Sequence, residues 1–289
     1  MGIKQELMSI ARTVAISTLQ QLFFTIGFVV VFGFIVGLMN KAFHRLAGDK
    51  FGRIFSIVTG FIGTPIHEMG HALFCLVFRH KILKIRLYQP NSDDGTLGYV
   101  NHSYNKRNIY QQIGNFFIGF GPILFGSAVL LIFMFWLVPN IFEVYRNSAD
   151  FSKIQIADIF HFSVVNDIFV VMKTTTINFF LSSEPGNWKW WLFIIPACSI
   201  AMHMSLSVPD IKSSWVGFCF IMLSLLIINA NLYFMDIEKI TVLSGYYLKA
   251  GTFILSFLSI SILLSVLLLL LGVIIKVITI LGKRFVIMR

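Results

Sequence analysis

The chain has 289 residues, 57% apolar or aromatic and 12% charged, against roughly 45–50% and 25% in soluble domains, so polar groups cannot cover a soluble globule. A net charge of +10 does not imply nucleic acid, because Lys and Arg sit between apolar runs, as anchors to anionic lipid, and do not cluster on a soluble face. The fold class these features imply is an all-α polytopic membrane protein.

From the N-terminus, apolar spans are expected at about 19–39, 54–78, 112–138, 191–209, 214–234 and 251–281, which gives about six transmembrane helices. Lys4 and Arg12 precede the first span and no small-residue cleavage site follows it, so residues 1–53 read as a retained anchor helix and a basic loop. The second span is interrupted at Gly63-Thr64-Pro65, where threonine and proline fit the cap and first turn of a helix restarting inside the membrane. Gly60, Gly63 and Gly70 are small enough to admit a neighbouring helix.

Between residues 79 and 111, Leu83, Ile85 and Leu87 alternate with Lys84 and Arg86. The turn-forming run from Pro90 to Gly95 follows, then Thr96-Leu97-Gly98-Tyr99-Val100. This pattern predicts a small β-hairpin at the membrane surface. Residues 54–138 form the first part of the core. In 139–190, Phe162, Val165, Phe169 and Met172 recur at helical spacing while His161, Asn166 and Asp167 interrupt the run, which predicts an amphipathic interfacial insert. Trp188, Trp190 and Trp191 mark an interface where the chain enters again. The fourth and fifth spans meet at Pro209-Asp210-Ile211-Lys212, as a tight hairpin or as one broken helix, within a second core segment, 191–234. A C-terminal helix and basic tail fill 235–289. An even number of crossings places both termini on one side, and a slight excess of Lys and Arg there favours the cytoplasm. Cys75, Cys198 and Cys219 lie in apolar stretches without paired spacing and read as buried packing residues.

Chemistry is carried by His67-Glu68-Met69-Gly70-His71. Histidines four apart share one helix face, so both imidazoles can hold one metal ion while Glu68 reaches water beside it. A charged side chain at the bilayer centre costs at least ~2.5–3.5 kcal/mol, so ionisable groups there read as functional. The bland alternative, histidines hydrogen-bonding neighbouring helices, leaves Glu68 without a partner. Catalytic zinc takes three protein ligands, and the third is expected from Asp210 or its rival His203. Asp210 has a second reading as the N-cap of the following helix or a surface group near Lys212, and His203 as an oxyanion donor or a helix contact. Ser205 and Asn115 are further candidates for the oxyanion donor. His44, His80, His102 and His161 lie in or near loops without partners at ligand spacing and are assigned no chemistry.

With His67-Glu68-Met69-Gly70-His71-Ala72 in an apolar helix, a strand-rich segment after it and Gly121-Pro122 in the next span, the chain resembles the site-2 protease family of intramembrane zinc metalloproteases. Phe125 stands where that family commonly has asparagine after glycine-proline, and Val208-Pro209-Asp210-Ile211 lacks the glycine that commonly follows the aspartate. The resemblance covers roughly 54–138 and 191–230. It implies a membrane-embedded zinc metalloprotease acting on membrane-anchored protein substrates, with Zn²⁺ on His67, His71 and Asp210 and Glu68 as general base. The alternative from another class is a noncatalytic membrane scaffold that binds clients.

Overall fold

Apolar residues dominate the chain and only seven prolines interrupt it, so the backbone satisfies its polar groups within helices. The computed structural model describes residues 3–92, 95–151 and 162–287. Helix α1 (Ile3–Leu22) runs through a π-helical turn, Phe23–Gly27, into α2 (Phe28–Ala47), and α3 (Asp49–Val77) follows. Strands β1 (Lys81–Arg86) and β2 (Tyr99–Ser103) precede α4 (Ile109–Leu137), α5 (Pro139–Ser148), α6 (Phe162–Leu181), α7 (Trp188–His203), α8 (Val208–Met235) and α9 (Ile237–Ile287).

Among the described residues, four helical stretches are long and apolar enough to cross a membrane: Lys4–Ala47, Ile109–Leu137, Val208–Met235 and Glu238–Leu281. They contain the expected spans at 19–39, 112–138, 214–234 and 251–281, all but the last residue of the second. The other two expected spans differ for identifiable reasons. In α3 the polar motif residues and the glycines dilute the hydropathy, and α7 has only 16 residues. Large apolar side chains face outward along these helices, among them Phe34, Phe61, Trp136, Phe234 and Phe253, each at least 64% exposed. A soluble monomer does not present so much apolar surface.

Three close helix approaches organise the centre. A Cβ on Gly70 would lie 2.8 Å from the main chain of Gly121 and Pro122, so α3 and α4 cross backbone to backbone; on Gly63 it would meet Ser199 O of α7, and on Gly119 Asp210 O of α8. Gly60 differs from the sequence reading, because Leu97 and Tyr88 of the hairpin connection approach it and no helix does. Helices α7 and α8 separate at Met204–Ser207 and do not lie alongside each other: α7 packs on α3, and α8 on α4 and α1. The tight-hairpin alternative for this pair is therefore not adopted.

Pro65 sits inside a continuous α3 and does not restart it, and Thr64 Oγ1 is buried without a hydrogen-bond partner where a cap was expected. Proline lacks only one donor, so a helix packed on both sides continues through it. The hairpin forms as an antiparallel pair with an irregularity between Ile82 and Lys84. Its second strand begins at Tyr99, three residues later than the expected Thr96, because Thr96-Leu97-Gly98 is drawn across α3. Helix α6 covers the periodic stretch of the insert and packs on α5 and α9; His161 falls outside the described residues. Cys75 is fully buried and Cys198, partly buried, packs against the core as expected, whereas Cys219 is partly buried and outside that cluster.

Candidate metal centre

The four-residue spacing in α3 puts the His67 and His71 rings on one face, with Nε2 atoms 3.2 Å apart. His71 Nε2 lies 3.5 Å from Asp210 Oδ1 of α8, and one donor atom from each of the three residues falls within 4.8 Å of the others. Ligand atoms around a tetrahedral ion with bonds of about 2.0–2.1 Å stand roughly 3.3 Å apart. The measured separations fit that spacing.

The opposite ring nitrogens explain the arrangement. His67 Nδ1 donates to the His203 carbonyl at 2.5 Å and His71 Nδ1 to the Ile118 carbonyl at 2.7 Å. Carbonyls only accept, so both Nδ1 atoms carry the proton and both Nε2 atoms are left as acceptors, 3.2 Å apart, with that of His71 beside Asp210. Three acceptors this close repel unless a proton or a metal cation lies among them, and two imidazoles with a carboxylate suit zinc.

Both carbonyls are available for reasons written in the sequence. In a helix the Ile118 carbonyl would receive the N–H of residue 122, which is Pro122 and has none. The His203 carbonyl ends α7, and its would-be partner, the Ser207 N–H, donates instead to Asp210 Oδ2 at 3.0 Å. Ser207 is the N-cap of α8 and Asp210 the third residue of a capping box. The cap reading of Asp210 is thus displaced by three residues: Oδ2 serves the helix end and Oδ1 faces His71.

Glu68 is buried, at 5% exposure, on the α3 face under the hairpin. A Cβ on Gly98 would stand 2.8 Å from Glu68 Cγ and 3.0 Å from Arg86 O, so the chain leading into β2 lies directly over this carboxyl. Tyr88 Oη donates to the Ile57 carbonyl at 2.6 Å and fastens the same segment to α3.

The His203 ring turns away from the cluster, with Nε2 3.1 Å from Thr59 Oγ1, and only its main chain serves the site. Asn115 is buried in α4 with Nδ2 unpartnered, and Ser205 borders an apolar cleft of about 780 Å³ between α1–α2 and the start of α8.

Among the histidines assigned no chemistry, His44 reaches Ser56 Oγ at 3.3 Å, whereas His80 and His102 do have partners. Their Nδ1 atoms lie 3.0 Å apart beside Cys75. Burial lowers His80, with its hydrogen bond to the Gln111 carbonyl acting the other way. Burial, then His80 and His71, lower His102 to about 4.

No protein-family model matches the chain, and no curated protein or solved structure matches it.

Proposed function

We propose that the protein is a zinc-dependent intramembrane endopeptidase, similar in its chemistry to the site-2 protease family, that cleaves membrane-anchored proteins. The observation that carries this reading is the convergence of His67, His71 and Asp210 next to buried Glu68. The donors suit Zn²⁺, which His67, His71 and Asp210 would hold; bound there, it would supply a Lewis acid that polarises the scissile carbonyl and makes water acidic near neutral pH. Glu68 accepts the proton of the attacking water as its oxygen bonds to the carbonyl carbon, then delivers that proton to the amine nitrogen as the C–N bond breaks. Of the three candidate oxyanion donors, Asn115 is the one whose buried N–H groups have no partner, which supports that role for it.

An intramembrane substrate needs a lateral route and must unwind before its peptide bonds can react. The apolar cleft beside Ser205, Leu206 and Val208 supports the first requirement, and the hairpin over Glu68 offers strand edges for the second. The same reading takes α3 and α7 as membrane crossings in addition to the four long helical stretches, and the termini as cytoplasmic.

The test uses detergent-purified protein reconstituted with zinc and a tagged single-span substrate in liposomes. Wild type cleaves it. Glu68→Gln keeps its zinc and does not cleave, while His67→Ala and Asp210→Ala each hold one zinc fewer than wild type. Cleavage by Glu68→Gln, or full zinc content in both ligand variants, would overturn the mechanism. A protein that takes up no zinc at all is the noncatalytic scaffold.

A further inference from the structure

His80 lies five residues beyond Cys75 and His102 22 residues beyond His80, and the fold brings one donor atom from each within 4.8 Å of the others. Local geometry makes the first approach. Helix α3 ends in a Schellman turn: Arg79 N–H reaches the Leu76 carbonyl at 3.1 Å and His80 N–H reaches back to the Cys75 carbonyl at 2.8 Å. That turn holds Arg79 at φ +58, a left-handed conformation that costs a residue other than glycine about 1–2 kcal/mol. It folds His80 over the end of the helix. Hairpin register makes the second approach, because His102 pairs with Ile82.

The donor atoms are arranged as ligands. His80 Nε2 donates to the Gln111 carbonyl at 2.8 Å, which fixes its proton there and leaves the Nδ1 lone pair facing His102 Nδ1 at 3.0 Å. The His80 ring is also held by stacking on Tyr104, with centroids 5.0 Å apart and planes at 17°. Cys75 and His80 are buried, at 0% and 5% exposure. The spacing of the nitrogens approaches the roughly 3.3 Å of a tetrahedral site, and thiolate with two imidazoles is a zinc donor set.

We infer that Cys75 Sγ, His80 Nδ1 and His102 Nδ1 form a second Zn²⁺ site, separate from the one beside Glu68, that fastens the hairpin to the end of the motif-bearing helix. Binding releases the Cys75 thiol proton to solvent and forms the S–Zn bond. The three ligands come from α3, the turn after it and β2, and the Gln111 carbonyl adds the first turn of α4. One ion therefore joins the elements whose relative position sets the chain over Glu68.

The experiment loads the full-length, detergent-purified chain with Zn²⁺ or Co²⁺ and counts ions by elemental analysis. With cobalt, the near-ultraviolet sulfur-to-metal charge-transfer band is recorded as well. No cysteine belongs to the His67, His71 and Asp210 group, so the band reports only the second site. Wild type should hold two ions per chain and show the band. Cys75→Ser and, independently, His102→Gln should each hold one ion, with the band abolished in Cys75→Ser, while His67→Ala should also hold one but keep the band. Monodisperse elution of the variants controls for misfolding. One ion per wild-type chain with no band would overturn the second site and leave the catalytic reading standing. One ion with the band would support the second site and remove the catalytic one.

Discussion

Replacing Pro122 by Ala separates two effects that ordinary damage would combine. The new N–H at position 122 can hydrogen-bond the Ile118 carbonyl within α4, and that carbonyl now orients His71 from 2.7 Å. Losing an outer partner of a metal-bound histidine weakens metal binding about 10–100-fold, equivalent to about 1.4–2.7 kcal/mol. Proline in a helix interior costs up to ~3 kcal/mol relative to alanine, so the same substitution should stabilise the metal-free protein. The close α3–α4 contact survives, because the Gly70 approach is to the Pro122 main chain and not to its ring. The expected result is a higher midpoint for metal-free thermal unfolding together with weaker binding of the ion that His67→Ala removes, read by chelator competition. Zinc affinity within about threefold of wild type, less than 1 kcal/mol, would refute the role given to the proline and its freed carbonyl.

His203→Ala should retain the ion proposed at His67, because His67 uses the main-chain carbonyl of residue 203 and not its ring; loss of that ion on elemental analysis would return the His203 ring to the ligand set. Gly98→Ala places a methyl between Glu68 Cγ and the Arg86 carbonyl, and overpacking of this kind costs about 1–3 kcal/mol. We expect unchanged zinc content and a kcat lower by about tenfold or more, and an unchanged kcat would move the hairpin off the site. Gly37 has only Ser205 Cβ nearby, at 3.9 Å, and lines the apolar cleft. Gly37→Trp should therefore lower kcat/KM for the liposome-embedded substrate while sparing a short soluble peptide, and equal loss on both would deny the cleft a part in entry.

The histidine pair and Glu68 were legible because their geometry is local: four residues along a helix decide which groups share a face. Asp210 was legible only as one of several readings, since its position at a helix head suits a cap as well as a ligand. In the structure one carboxylate oxygen serves the cap and the other faces His71. The Cys75, His80 and His102 group could not be read from spacing. Its members meet through a local left-handed turn at Arg79 and through the strand register that sets His102 opposite Ile82, and the second is a tertiary consequence. The only local signal was His80 lying five residues beyond Cys75, the span of a Schellman turn. Helix existence followed from apolar composition, but the fate of Pro65 did not, because packing on both sides carries α3 past it.

Both His67 and His71 lean on the peptide backbone. Substitution at position 118 or 203 changes a side chain and leaves the carbonyl in place, so the outer support of this centre presents a small target to point mutation. What exposes it to loss lies elsewhere, at Pro122, whose missing hydrogen keeps one carbonyl free, and at Ser207 and Asp210, whose cap diverts the donor that would take the other. Drift at positions 118 and 203 can therefore change the side chains there while sparing the support itself, which at each Nδ1 is a main-chain carbonyl.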